Sequence, residues 1–261
     1  MLFDSHTHLT SRRFDRDRDK VIQRMEKNDV TYALLPGSSF ENSVEAAELA
    51  NKYDMFYASV GVHPCNTKDL DGMTLQLLKA LARKPKVVAI GEIGLDYYHD
   101  DSPIDIQRKW FIEQIRLAKD LKLPMIIHDR EANDDVFNIL KQENAFETGV
   151  LVHCYSGNAS LARKYVRLGA YLSIAGPVTY NGARKLHEVV KAVPLDNIMI
   201  ETDAPSLTPQ PLRGKRNEPS YVKYVAERIA ELKEISYEEV AEKTMENAKK
   251  FFRIRDRRML Y

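Results

Sequence analysis

Short apolar runs alternate along the chain with longer stretches whose apolar residues recur at helical spacing. The runs Leu2–Asp4, Tyr32–Pro36, Phe56–Val60, Val87–Gly91, Met125–His128, Gly149–His153, Tyr171–Ile174 and Ile198–Glu201 read as strands. Between them, Phe111, Ile115, Ala118 and Leu121 repeat with a helical period, as do Tyr221, Val225, Ile229 and Leu232. The runs at 87–90 and 125–127 lack polar alternation, as parallel strands covered on both faces require. Eight strands, each followed by a helix, predict a (β/α)8 TIM barrel. Ser236 stands three residues before Glu239, a capping-box pattern that opens an extra C-terminal helix over Ser236–Phe252. No linker, low-complexity tract or short repeat interrupts the pattern, so one barrel domain over residues 1–261 is expected, with a doubly wound open sheet as the alternative.

Composition narrows the partners. Across 261 residues, 39 Lys and Arg face 38 Asp and Glu, a net charge of +1, so any nucleic-acid contact must come from a local basic patch. Two cysteines, Cys65 and Cys154, are too few for a disulfide framework or a thiolate metal site. The start MLFDSHTH carries no leader pattern, and no apolar run reaches membrane-spanning length. A cytoplasmic protein without membrane attachment or an obligate protein partner is the expectation.

The chemistry-bearing residues gather where predicted strands end, the face on which barrel enzymes build their sites. His6 and His8, two apart after the first strand, can share one cation. Alone, such a pair is commonly just polar turn residues. Glu92 follows an apolar strand, where an unpaired carboxylate is disfavoured; a cation compensates it, and a buried Arg is the bland alternative. It can bridge two metals, while Gly91 and Gly94 allow close backbone approach. Asp96 reads as the partner that orients a ligating imidazole. His128 and His153 each close an otherwise buried run; one such His is usually a satisfied core residue, but two at adjacent strand ends are harder to explain that way. Asp203, after the eighth strand, can bind a metal while holding the attacking water, or serve merely as a turn residue before Ala204-Pro205. Four imidazoles and two carboxylates suit two divalent cations, Zn²⁺ or Mn²⁺ more than Mg²⁺.

These motifs together resemble the TatD family of metal-dependent deoxyribonucleases, within the amidohydrolase-like barrel superfamily. The resemblance runs nearly end to end, through DSHTHL at 4–9, GVHP at 61–64, GEIGLDY at 91–97, PMIIH at 124–128, HCYSG at 153–157, ETDAP at 201–205 and RGKRNEP at 213–219. It implies that His6, His8, Glu92, His128, His153 and Asp203 are metal ligands, with Glu92 bridging. It places His63 beside the metals as a substrate-side or supporting residue. It further implies trimming of DNA from 3′ ends, single-stranded DNA being the expected substrate. Tyr155 stands where the family more often has Phe.

Arg213, Lys215 and Arg216 put positive charge near Asp203, and phosphate binding is their natural use, a solvated basic loop the alternative. Arg130 is a further phosphate contact or a salt-bridge partner. Arg12, Arg13, Arg16 and Arg18, interleaved with Asp15, Asp17 and Asp19, read as an exposed loop and helix start. The expected mechanism activates a water between the cations, with Asp203 taking its proton, a metal and a basic side chain holding phosphate, and His63 stabilising developing charge or assisting the leaving group. His187 and Trp110 read as structural, and His99 as a mouth-loop residue without a catalytic part. Cys65 lacks a clear base, and Cys154 is expected to point to the helix layer by strand alternation. The competing readings are hydrolysis of a carboxyl-type bond, such as an aminoacyl-tRNA ester or cyclic amide, and a nucleic-acid binding protein with structural metals.

Overall fold

The structure, a computed structural model, describes residues 1–255. Eight strands run parallel in sequence order: β1 (Leu2–Asp4), β2 (Val30–Leu35), β3 (Phe56–Val60), β4 (Val87–Asp96), β5 (Met125–Arg130), β6 (Val150–Val152), β7 (Tyr171–Ile174) and β8 (Ile198–Ile200). The helices are α1 (Arg18–Lys27), α2 (Phe40–Lys52), α3 (Gly72–Leu81), α4 (Ile104–Leu121), α5 (Asn133–Gln142), α6 (Ala159–Arg167), α7 (Arg184–Ala192), α8 (Val222–Lys233) and α9 (Tyr237–Phe251). The barrel closes at its upper rim. There Ser5 N donates to Ile200 O at 3.0 Å and Asp203 N to His6 O at 2.9 Å. This is the (β/α)8 barrel with an extra C-terminal helix, not an open sheet.

Alternation along each strand sorts side chains between two cores. Met125 and Ile127, Val150 and Val152, and Ile198 and Ile200 face the helix layer, whereas Ile126, Leu151 and Met199 between them face inward. Phe3, Leu34 and Ala89 complete that interior. From α9, Met245, Ala248, Phe251 and the following Phe252 pack against it and cover the barrel floor; the Phe252 ring stacks on Phe3 at 5.8 Å. Burying one such large side chain contributes about 1.5–3 kcal/mol. A surface ion pair contributes about 0–1 kcal/mol, so the interior and its lid dominate.

Five strands differ from their expected limits: β2, β5 and β8 by one or two residues at their ends, and β4 and β6 where candidate ligands lie. β4 runs on to Asp96 rather than ending at Gly91, and its register against β5 shifts between Ile90 and Ile93. The residue taken up by that shift turns Glu92 inward, between Ile90 and Ile93 of the outer core. β6 ends at Val152, one residue before His153.

Candidate metal centre

Continuing the inward parity of Ile126 and Leu151 carries His128 and His153 to the barrel mouth. His6 and His8 arrive from the segment after β1, and Glu92 from the middle of β4. Asp203 sits in a left-handed backbone conformation (φ 54°). Its predecessor Thr202 is pinned by Asp4, which accepts from Thr202 N at 2.9 Å and from its hydroxyl at 2.6 Å. Asn217 fastens the same loop, donating to Thr202 O at 2.9 Å. Gly94, at φ 149°, lies against the His128 carbonyl so closely that a Cβ would collide with it. The sequence requires glycine there because the ligand strands meet backbone to backbone.

Two groups of donor atoms share Glu92. His6 Nε2 and His8 Nε2 lie 3.3 Å apart, 3.5 and 3.7 Å from Glu92 Oε2, and 3.8 and 3.4 Å from Asp203 Oδ1. Four ligands bonded to one cation at about 2.0–2.2 Å stand about 3.3–3.6 Å from one another in a tetrahedron, so the group fits a cation such as Zn²⁺. On the other side, His128 Nδ1 and His153 Nε2 lie 3.3 Å apart and 2.9 and 2.8 Å from Glu92 Oε1. Mixed imidazole and carboxylate donors of this kind hold divalent metals.

The far nitrogens are held as well. His128 Nε2 lies 2.9 Å from Asp96 Oδ2, and His153 Nδ1 lies 3.4 Å from Glu201 Oε1. Such contacts fix imidazole orientation and make the ligands more basic.

Electrostatics follow from burial and convergence. Burial raises the Glu92 carboxyl, but the charge of His153 and the hydrogen bonds to His128 and His153 outweigh it and hold the group well below the usual carboxylate range. Burial lowers His153, yet Glu92 and Glu201 raise it well above the usual imidazole value. Asp203 is raised by burial and brought below its usual value by the His8 hydrogen bond. His63 is driven by burial down to about 3, so its ring is neutral. Its Nδ1 accepts from Cys65 N at 3.1 Å, which leaves the proton on Nε2, 3.6 Å from Glu92 Oε1.

A cleft of about 530 Å³ opens beside these residues, lined on the ligand side by Asp96, His128, His153 and Asp203. Arg130 lines it with its guanidinium 4.8 Å from the Tyr98 ring centre. Among the described residues it makes no ion pair, so the salt-bridge alternative does not hold.

The other expected phosphate contacts lie elsewhere. Arg213 stacks over Tyr180 at 4.7 Å, and Lys215 is exposed. Arg216 is committed to Asp17, with contacts of 2.7 and 2.8 Å, and covers the Phe14 ring. None of the three lines the cleft: Arg216 is drawn to Asp17 at the start of α1 and Arg213 to Tyr180.

Cys154 corrects the expectation that it faces the helix layer. The strand has ended, the backbone turns left-handed (φ 43°), and Cys154 lines the cleft. His99 lines it too, with Nδ1 2.9 Å from Asp96 Oδ2. Cys65 has its thiol pushed by burial up to about 12, which suits no nucleophile. Trp110 is buried in the core, and His187 donates from Nε2 to Val178 O at 2.8 Å. Sequence reading missed Asp4 and Glu201, whose partners lie up to 198 residues away, and Asp129, which shares the cleft. For Asp4 the available signal was a charge inside an apolar strand.

Comparison with known proteins agrees with the geometry. A family model described as TatD related DNase matches residues 3–253. A Bacillus subtilis protein called uncharacterized metal-dependent hydrolase YabD is 50% identical over 254 residues, covering 97% of this chain and 100% of its own length. A Rahnella protein called 3′-5′ ssDNA/RNA exonuclease TatD is 34% identical over 263 residues, covering 98% and 100%. The crystal structure of YJJV, a TatD homologue from Escherichia coli, superposes with a TM-score of 0.92 at 32% identity, over 97% of this chain and 98% of that one. The chain therefore belongs to the TatD family and is a metal-dependent hydrolase.

Proposed function

We propose that the protein is a nuclease that removes nucleotides from the 3′ ends of single-stranded DNA in the cytoplasm, working with two divalent cations. The observation that carries this reading is Glu92 presenting its two oxygens to two separate imidazole groups at the mouth of the barrel. His6, His8, Asp203 and Glu92 would hold one cation, and His128, His153 and Glu92 the other, with Zn²⁺, Mn²⁺ or Mg²⁺ as candidates. When bound, the pair supplies Lewis acidity at the phosphoryl oxygen and lowers the pKa of the attacking water.

The chain's own residues do the rest. Asp203, ionised at neutral pH and partly open to the cleft, orients the water and takes its proton. His63 is too weak a base to carry a deliverable proton, and serves instead as a neutral N–H donor to developing negative charge. Arg130 grips phosphate beside Tyr98. Arg213 and Lys215 touch the strand farther out. The Rahnella relative, named for exonuclease action on single-stranded DNA and RNA, supports the substrate class.

Oligonucleotides labelled at the 5′ or 3′ end, charged tRNA and small amides, each with and without chelator, test the reading. A 5′-labelled ladder shortening from the 3′ end, stopped by chelator and restored by divalent metal, is expected. Release of amino acid from tRNA with intact oligonucleotides would replace it by carboxyl-bond hydrolysis.

A further inference from the structure

Beyond its ligand side, the cleft is mostly apolar. Tyr155, Ala175, Pro177, Leu186 and Leu207 line it. Its volume of about 530 Å³ falls in the range of roughly 300–1,000 Å³ typical of small-molecule sites, where a few polar groups fix orientation. Two charged side chains from different elements supply those groups, Asp129 from β5 and Lys185 from α7. Asp129 is mostly buried, and its Oδ1 accepts from Ala132 N at 3.3 Å. Its other oxygen has no hydrogen-bond partner among the described residues. Lys185 is exposed and carries no ion pair among the described residues, though its charge acts on Asp129. Neither residue is placed among the metal ligands, and the turn into α5 uses only one of the two Asp129 oxygens.

Resting on the nuclease reading above, we propose that this cleft is the pocket for the terminal nucleobase of a single strand, and that Asp129 and Lys185 make it select guanine. With the scissile phosphate at the metal ligands, the next group that fits along Tyr155 and Leu186 is one nucleoside. Apolar walls accept any base by packing, without reading its edge. The polar pair discriminates. A carboxylate only accepts hydrogen bonds, and guanine alone offers it two adjacent donors, N1–H and N2–H, on one edge. Guanine O6, next to N1–H, is an acceptor for the Lys185 ammonium. Thymine sets carbonyl oxygens on both sides of its single N–H and is repelled by the carboxylate. Adenine and cytosine each offer one amino group beside an acceptor nitrogen.

Four single-stranded oligonucleotides identical except for a 3′-terminal dG, dA, dC or dT provide the test, read as kcat/KM for removal of the first nucleotide. The wild type is expected to favour dG over dT by about tenfold. D129N brings that ratio near one, and K185M lowers it in part. A ratio within one preparation does not depend on the fraction that folds, so a poorly folding variant still reports. Equal rates on all four substrates in the wild type would overturn the pocket while leaving the nuclease standing. A dG preference that survives both substitutions would overturn the assignment to these residues. If no oligonucleotide is shortened, the nuclease reading fails, and calorimetry with dGMP and dTMP decides the pocket. Tighter dGMP binding that D129N abolishes supports it, and equal or absent binding overturns it.

Discussion

At the scale of single residues, two of the candidate ligand imidazoles, His128 and His153, depend on a neighbouring carboxylate that fixes their direction. Asp96 illustrates this, since one of its oxygens lies 2.9 Å from both His128 Nε2 and His99 Nδ1. Asp96→Asn keeps the shape and removes the charge, and should weaken metal affinity by roughly 10- to 100-fold, measured by titrating metal-free protein. Asp203→Asn, assayed at metal concentrations high enough that elemental analysis shows the sites filled, should lose on the order of a hundredfold or more in phosphodiester turnover. Near-normal turnover with metal in place would remove Asp203 from the mechanism. That His6, His8, Glu92, His128, His153 and Asp203 converge at the barrel mouth is legible in the sequence, because a polar group at the end of an apolar run is costly to bury and so conspicuous. Asp4 and Glu201 are not, since their worth lies in contacts between distant parts of the chain, Asp4 with Thr202 and Glu201 with His153.

At the scale of elements, periodicity located every strand, and β1, β3 and β7 match their predicted limits. The failures fall where the backbone leaves its period. The register shift in β4 and the left-handed turn at Cys154 are set by neighbouring strands, not by the residues themselves. Local chemistry was readable at α9, where Ser236 Oγ accepts from Glu239 N at 3.1 Å. Ser236→Ala should cost about 1 kcal/mol in a urea titration without changing turnover. The basic loop behaves differently from its sequence. Hydrogen bonding to Arg216 lowers the Asp17 carboxyl below its usual value, so the stabilisation exists above the unfolded pKa, about 3.9, and fades as pH falls through the lower folded value. Arg216→Ala should lower the melting temperature at pH 7, and the gap to wild type should narrow below about pH 4. Arg130→Ala, by contrast, should raise KM on oligonucleotides with little change in melting temperature.

For the whole molecule, a metal held by the candidate ligands from β4, β5 and the segments after β1, β6 and β8 would tie distant parts of the chain together. Metal saturating at a hundredfold above its dissociation constant should stabilise the fold by about 2.7 kcal/mol. Chelation should therefore lower the melting temperature reversibly, measured by calorimetry before and after metal return. At the opposite end, Phe252→Ala opens a cavity under Phe3 and should cost about 3–5 kcal/mol, with kcat unchanged. That separation of ends has a practical reach. Because α9 seals the base from below, mouth loops that carry no candidate ligand, such as the stretch around Arg213 and Lys215, can be exchanged for those of a relative while heat tolerance stays with the recipient.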